Sequence, residues 1–329
     1  MKRVGDLKEQ IVSLDNLYYA YYKASMGKKC NQEARQFAEQ FDENIHTLRN
    51  DLMDSSIIMG QYRYFTIRDP KVRTICAAPF RERVVQHAIM NICHQYFDRM
   101  LIDTVYASRQ GKGVYAALEK AEYAMSHFKY SVKMDVRKFY DSIAHQVVKD
   151  KLSRMFKDAW LLSLFSKIID GYSVELGCGL PIGNLTSQYF ANNYLSELDH
   201  KAKECWKAPI YIRYMDDILI AGDEKEVLKN CVLEMTDYAL NHLKLTFKPP
   251  IFHNTDDGQV FLGYRVLPYC CKLSGRSKRR YRAKLLQYDK LLNEGVWGES
   301  QYKEHILPLV AFVKHASSKA FCRSCIEKD

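Results

Sequence analysis

The segment Tyr211-Ile-Arg-Tyr-Met-Asp-Asp-Ile-Leu-Ile-Ala-Gly222 sets two adjacent carboxylates between two short apolar runs, the pattern by which a β-hairpin presents acidic residues at its turn. Neighbouring strand side chains point to opposite faces, so Asp216 can reach toward a ligand while Asp217 stands close behind it. Adjacent carboxylates at such an edge repel one another unless cations hold them. Asp-Asp alone is equally an ordinary acidic turn. What separates the two readings is the Tyr214-Met215 in front of the pair and a further carboxylate upstream.

A chain of 329 residues with 47% hydrophobic content is large enough for one sizeable multi-lobed domain or two modest ones, and it is not the composition of a disordered protein. The net charge of +10 favours a polyanionic partner over an acidic protein or a neutral metabolite. No apolar run approaches the roughly 18 residues of a membrane span, and the start Met1-Lys-Arg-Val-Gly-Asp lacks the apolar core of a secretion signal. A cytoplasmic protein without a membrane partner is therefore expected. The ten cysteines show no framework spacing and are expected as reduced thiols. Cys270-Cys271 and Cys322-Arg-Ser-Cys325 invite a zinc reading, but adjacent cysteines chelate poorly and the two pairs lie about fifty residues apart without finger signals.

Residues 1–60 are expected to be helical, with Leu7, Ile11 and Leu14 on one face and Phe37, Phe41, Ile45 and Leu48 on another. Tyr62–Arg68 and Val72–Ile75 flank Asp69-Pro70 and predict a hairpin with a basic tip. Arg81–Ile92 carries a buried helical stripe. Ser108–Gly113 reads as a loop, Val114–His127 as a helix and Tyr130–Val136 as a strand ending at Asp135. Helices lead to the Gly-Pro stretch Gly177–Gly183 and continue over Ser187–Lys203. After the Tyr211 hairpin come a helix at Lys225–His242, strands at Lys244–Lys248 and Val260–Val266, and a basic stretch, Lys272–Lys284, running into an amphipathic helix. The order is mixed and not a βαβ repeat, so an α+β core with helical lobes is expected.

Asp135 and Asp216-Asp217 each end or turn a hydrophobic strand and can meet on one sheet edge. Three carboxylates brought together resist ionising unless divalent cations neutralise them. Oxygen-only ligands suit Mg²⁺ or Mn²⁺, and two such ions about 4 Å apart activate a 3′-hydroxyl and stabilise a leaving pyrophosphate. That chemistry is nucleotidyl transfer. Lys71 and Arg73 alternate with apolar neighbours on the hairpin, where both can face one side and meet triphosphate charge. Asp141 is expected to cap a helix, not to serve as a fourth ligand.

The blocks Lys133-Met-Asp-Val-Arg-Lys-Phe-Tyr-Asp-Ser-Ile143, Gly179-Leu-Pro-Ile-Gly-Asn-Leu-Thr-Ser-Gln188, Tyr214-Met-Asp-Asp217 and Phe261-Leu-Gly-Tyr264 resemble, in that order, motifs A, B, C and E of reverse transcriptases. The resemblance covers roughly residues 60–290. It implies a right-hand polymerase fold: a helical extension at 1–60, fingers and an antiparallel palm at 61–270, and a helical thumb at 271–329. No endonuclease or RNase H domain is expected. It assigns catalysis to Asp135, Asp216 and Asp217, and two Mg²⁺ ions, or Mn²⁺, to Asp135, Val136, Asp216 and Asp217. Nucleotide binding falls to Lys71, Arg73, Arg137, Phe139, Tyr140 and Gln188, with Tyr140 excluding a 2′-hydroxyl sterically.

Most reverse transcriptases carry Gln where this chain has Ile182 and Pro where it has Gln188. The departure, with Ser108-Arg-Gln-Gly-Lys-Gly113, resembles the enzymes of diversity-generating retroelements, which copy template RNA into cDNA with errors at adenines. Pro181, Ile182 and Gly183 then face the template. Arg276, Lys278, Arg279, Arg280, Arg282 and Lys284 are expected on the nucleic-acid backbone. The implied partners are template RNA, a primer-template duplex, dNTPs and a small basic accessory protein, in a bacterial or phage-encoded setting. Retron, group II intron-like and phage-defence enzymes remain alternatives, as does a non-catalytic RNA-binding scaffold.

Overall fold

In the computed structural model, which describes residues 2–27, 31–68 and 72–326, helices and antiparallel sheets divide into two units of non-contiguous chain. One comprises Met1–Ile102, Arg137–His200 and Asp237–Thr246; the other comprises Asp103–Val136, Lys201–Thr236 and Phe247–Asp329. In chain order the elements are α1 (Lys8–Ile11), α2 (Leu14–Ser25), α3 (Gln32–Glu39), α4 (Phe41–Met53), β1 (Arg63–Arg68), β2 (Val72–Ala77), α5 (Phe80–Arg99), α6 (Val114–His127), β3 (Tyr130–Asp135), α7 (Phe139–Ser142), α8 (His145–Met155), α9 (Ala159–Asp170), α10 (Leu185–Tyr194) and α11 (Ser196–Glu204). They continue with β4 (Ile210–Tyr214), β5 (Asp217–Gly222), α12 (Lys225–Leu243), β6 (Ile251–Asn254), β7 (Gln259–Phe261), β8 (Tyr264–Leu267), β9 (Cys270–Leu273), α13 (Gly275–Asn293), α14 (Glu299–Lys314) and α15 (Lys319–Ile326). Among the described residues no helix is long and apolar enough to cross a membrane.

The first unit is mainly helical. Ser13, Asn31 and Asp158 cap α2, α3 and α9, each accepting from the backbone N–H three residues on, which satisfies donors that a helix start leaves orphaned. Of the stripe read from the sequence of α5, Val84, Val85, Ala88 and Ile89 lose all exposure, each large side chain contributing about 1.5–3 kcal/mol, while Ile92 is half-buried. Asn16 of α2 enters this core and donates to the carbonyls of Ile11 and Ala88 at 2.8 and 3.0 Å. β1 and β2 form the expected hairpin, whose turn at Asp69-Pro70-Lys71 lies outside the described residues. Its root is held from α5, where buried Glu82 accepts from the Gly60 and Gln61 amides, both at 3.0 Å.

The second unit holds a four-stranded antiparallel sheet ordered β4-β5-β3-β6 and a three-stranded meander β7-β8-β9. Helix α6 supplies Leu118, Ala121 and Met125 to a core shared with Ile212 and Leu219 from the sheet and Phe261, Tyr264 and Val266 from the meander. Central β3 alternates as a half-buried strand should. Val132 and Met134 are buried on one face, while Ser131, Lys133 and Asp135 fall on the other.

Four local expectations are corrected. Lys244–Lys248 is not a strand: only Phe247 bridges, to Val136, and the sheet is completed instead by β6. The run Val260–Val266 is two strands folded at Leu262 and Gly263, both at positive φ, because apolar alternation continues across a tight turn as readily as along one strand. The helix expected over Ser187–Lys203 is α10 and α11, with a break between them. Asp141 lies inside the short α7, whose N-cap position is Lys138 in the left-handed region.

Candidate active site

Tyr214 pairs with Asp217, so β4 and β5 are joined by Met215 and Asp216 alone. A two-residue connection that matches strand twist needs positive φ at its first residue, and Met215 adopts φ 53°, a conformation costing an L-residue roughly 1–2 kcal/mol. Arg213 holds it there. Its side chain is fully buried, and its Nη1 donates to the Met215 carbonyl at 3.1 Å.

β5 runs antiparallel to β3 in a register that sets Asp217 opposite Asp135. Two lysines meet these carboxylates. Lys133 Nζ lies 2.9 Å from Asp217 Oδ1, and Lys248 pairs with Asp135 Oδ1 while donating its amide to the Asp135 carbonyl. Asp216, at the turn beside them, has its carboxyl pushed up to about 6. Burial is the main cause, followed by the negative charge of Asp217 and then of Asp135.

Among the described residues no group of three or more His, Cys, Asp or Glu side chains is already arranged around a single metal position. The donor chemistry nonetheless fits hard divalent cations. Asp135, Asp216 and Asp217 offer oxygen only; Asp217 Oδ1 is buried against the Lys133 ammonium at 2.9 Å; and burial, with the charges of Asp217 and Asp135 beside it, holds Asp216 toward neutrality. The described cysteines are all free.

The remaining motif residues lie in the first unit. Arg137 is exposed and Tyr140 half-buried. Phe139 is only 3% exposed and belongs to the core, so the nucleotide contact expected of it is corrected to packing. Arg73 is exposed on β2, and Lys71 lies outside the described residues. The loop before α10 is tied on both sides: Leu180 donates to the Tyr140 carbonyl at 2.8 Å, and Cys76 of β2 donates to the Ile182 carbonyl at 2.9 Å. Gly183 sits at φ 116°, where an added Cβ would lie 3.0 Å from Ile75 Cγ2. Pro181 is buried, while Ile182 and Gln188 are half-buried. Buried Gln86 accepts from the Leu185 amide at 3.0 Å, serving the N-terminus of α10 where Asn184 does not.

The six basic residues of α13 do not share a face. Lys278 and Arg282 stand over the Phe321 ring at 5.4 and 5.0 Å, Arg280 and Lys284 line a groove with Pro308 and Phe312 of α14, and Arg276 and Arg279 are exposed. Sequence reasoning missed Lys133, Lys248, Arg213 and Gln86. Lys133 could have been found, because a residue two before Asp135 shares its strand face.

Comparison with known proteins now bears on this geometry. The family described as reverse transcriptase (RNA-dependent DNA polymerase) matches residues 67–266. The chain belongs to the reverse transcriptase family. Protein YkfC of Escherichia coli (strain K12) is 21% identical over 269 residues, covering 66% of this chain and 70% of that protein. The group II intron-encoded protein LtrA of Lactococcus lactis subsp. cremoris is 22% identical over 197 residues, covering 56% of this reverse transcriptase and 33% of LtrA. The solved structure of telomerase from Candida tropicalis in complex with a TWJ fragment of telomeric RNA has a TM-score of 0.50 at 12% identity, covering 86% of this chain and 58% of that one, a likeness of fold. The reverse transcriptase thus spans a third of LtrA and little more than half of that telomerase chain.

Proposed function

We propose that the chain polymerises DNA on an RNA template by nucleotidyl transfer at Asp135, Asp216 and Asp217. The observation that carries this reading is the cross-strand register of Asp135 with Asp217 beside an Asp216 raised to about 6. These carboxylates and the adjoining Val136 backbone would hold divalent ions, which would supply the positive charge that lets Asp216 ionise and that activates a 3′-hydroxyl. Lys133 and Lys248 keep the flanking carboxylates oriented. Arg73, with Lys71, meets triphosphate charge; Arg137 and Gln188 complete the nucleotide contacts; and Tyr140 excludes the 2′-hydroxyl by bulk. Residues 61–270 act as fingers and palm and 271–329 as thumb, with Arg276 and Arg279 best placed for backbone phosphates. Template RNA, a primer-template duplex and dNTPs are the substrates, met in the cytoplasm. The test is primer extension on RNA with and without Mg²⁺; absence of metal-dependent extension by the wild-type chain would overturn the reading.

Within this activity we assign the chain to the diversity-generating retroelement class, working with a small basic accessory protein. Ile182 and Gln188 in motif B support it, since replacing an amide by a branched alkyl group leaves shape alone to discriminate the templating base. A group II intron-like enzyme is the second reading, favoured by the similarity to LtrA. Sequencing cDNA made on a native template RNA separates them: errors concentrated at template adenines support the first, and evenly distributed errors support the second.

A further inference from the structure

His145 opens α8 and is 5% exposed, yet its ring is spent on main chain and charge instead of apolar packing. Nε2 lies 2.8 Å from the Gly179 carbonyl. A carbonyl can only accept, so Nε2 carries the proton. Nδ1 stands 3.4 Å from Asp170 Oδ1, whose two oxygens also accept from Lys149 at 2.7 and 2.6 Å. The His145 amide in turn donates, at 2.8 Å, to the Gly177 carbonyl.

The segment gripped in this way is loose by composition. Gly177, Gly179 and Gly183 all adopt positive φ, at 73°, 112° and 116°, and glycines carry the largest backbone entropy into the folded state. Gly179 donates to the Ile143 carbonyl and Leu180 to the Tyr140 carbonyl, both at 2.8 Å. Two residues further on, Ile182 accepts from Cys76 on the hairpin that carries Arg73. The imidazole therefore adds the side-chain tie to a strip of backbone that joins Tyr140 to the loop of Pro181, Ile182 and Gly183.

We propose that His145 is a positioning residue for sugar discrimination: by holding the Gly179 carbonyl it fixes the Leu180–Tyr140 hydrogen bond, and with it where the Tyr140 ring stands toward a nucleotide's 2′ position. The activity half of this inference rests on the nucleotidyl-transfer reading; the structural half rests on the ring's contacts alone. The two nitrogens predict opposite behaviour for two amide substitutions. The amide of Gln reaches where Nε2 stands, whereas the shorter Asn reaches only the position of Nδ1.

The test uses the full chain, with His145→Asn, His145→Gln and a control, Leu152→Ala, which empties a buried site (1% exposed) about two turns further along α8. Hydrogen exchange of the 174–183 amides and steady-state extension with dNTP and rNTP are measured at matched temperatures below each variant's unfolding midpoint. Leaving a buried carbonyl without its donor predicts exchange and dNTP KM about tenfold higher in His145→Asn, with kcat reduced less and dNTP-over-rNTP preference lowered by a similar factor. His145→Gln and Leu152→Ala should stay within roughly threefold of wild type on these readouts. Unchanged exchange and preference in His145→Asn overturns the proposal, as does a His145→Gln as impaired as His145→Asn, or a Leu152→Ala that reproduces the loss. If the wild type fails to extend primers, the exchange measurement still decides the clamp, and it is the nucleotidyl-transfer reading that falls.

Discussion

Asp135 of β3 and Asp217 of β5 face each other across one antiparallel register, so sheet pairing alone forces two carboxylates together and the β4–β5 turn adds Asp216. The three act as one electrostatic unit. Replacing Asp216 by Asn should therefore remove polymerisation while sparing affinity for RNA, because the fold gains rather than loses from neutralising a buried carboxyl already raised to about 6. The measurement is primer extension beside filter binding of template RNA and a thermal midpoint. Extension near the wild-type rate in Mg²⁺ would remove Asp216 from the centre.

Lys248 pairs with Asp135 where a cation is otherwise needed. Lys248→Met should cost the metal-free chain no more than about 1 kcal/mol, since the pair is partly solvated, but should increase the stabilisation gained from saturating Mg²⁺. An ammonium that competed for the carboxylate is gone, so the Mg²⁺ midpoint for both stability and extension should fall. A midpoint that rises would mean that Lys248 supports metal binding instead of opposing it.

Gly60 and Gly171 meet backbone to backbone in the first unit. Gly60 has φ 92°, and a Cβ there would lie 2.7 Å from Gly171 Cα and O. Neither wall is a flexible side chain that can move aside. Gly60→Ala should cost at least about 2 kcal/mol through strain and overpacking. Gly111→Ala, at φ 72° with nothing within 4 Å, should cost only about 1 kcal/mol from conformation. Denaturant unfolding of both variants checks the ordering, which equal losses would refute.

Hydrophobic periodicity carried α5 and α6, each of which buries one face, whereas β4 and β5 are buried on both faces, so the Asp-Asp turn was readable from the continuous apolar runs beside it. The division of the run Val260–Val266 was not, since strand alternation passes unbroken through Leu262 and Gly263. Long-range partners were hidden for another reason. Lys248 reaches Asp135, and Gln86 reaches the start of α10, across about a hundred residues of sequence, and no local pattern records a pairing that only folding creates. Phe139 shows the limit of a motif: its position beside Tyr140 is shared, but its burial is decided by the core around it.

Glu197 binds three partners: Lys151 Nζ at 3.1 Å and the Tyr238 hydroxyl at 3.0 Å on one oxygen, and Arg154 at 3.0 Å on the other. Burial works to raise its carboxyl, but Lys151, Tyr238 and Arg154 more than offset this and hold it below 4.5. Lys151, at 7% exposure, is itself lowered because burial outweighs the attraction of Glu197. The folded carboxyl thus titrates below the unfolded one, so its contribution is fully present above about pH 4.5 and is lost as pH falls through the folded value. Glu197→Gln should be less stable at pH 7 by about 1–2 kcal/mol, the carboxylate being partly screened by water, and should lose stability less steeply on acidification. Parallel slopes below pH 4.5 would exclude the network as a source of acid sensitivity.

Ile182 offers the sharpest test of subtype. Its carbonyl is held by the Cys76 amide, a bond that any side chain permits, and its side chain is half-buried, so on the proposed reading Ile182→Gln changes the chemistry offered to the templating base without releasing the loop. An amide restores hydrogen-bonding capacity where the branched alkyl group provides only shape. Errors opposite template adenine should therefore fall several-fold relative to those at other bases, a difference of about 1 kcal/mol in discrimination, while the extension rate on a matched template changes little. Deep sequencing of the cDNA reports both quantities. Adenine-specific errors that persist undiminished would place the source of infidelity away from Ile182, in Gln188 or in the accessory protein, and an unbiased wild-type error spectrum would return the enzyme to the group II intron-like reading.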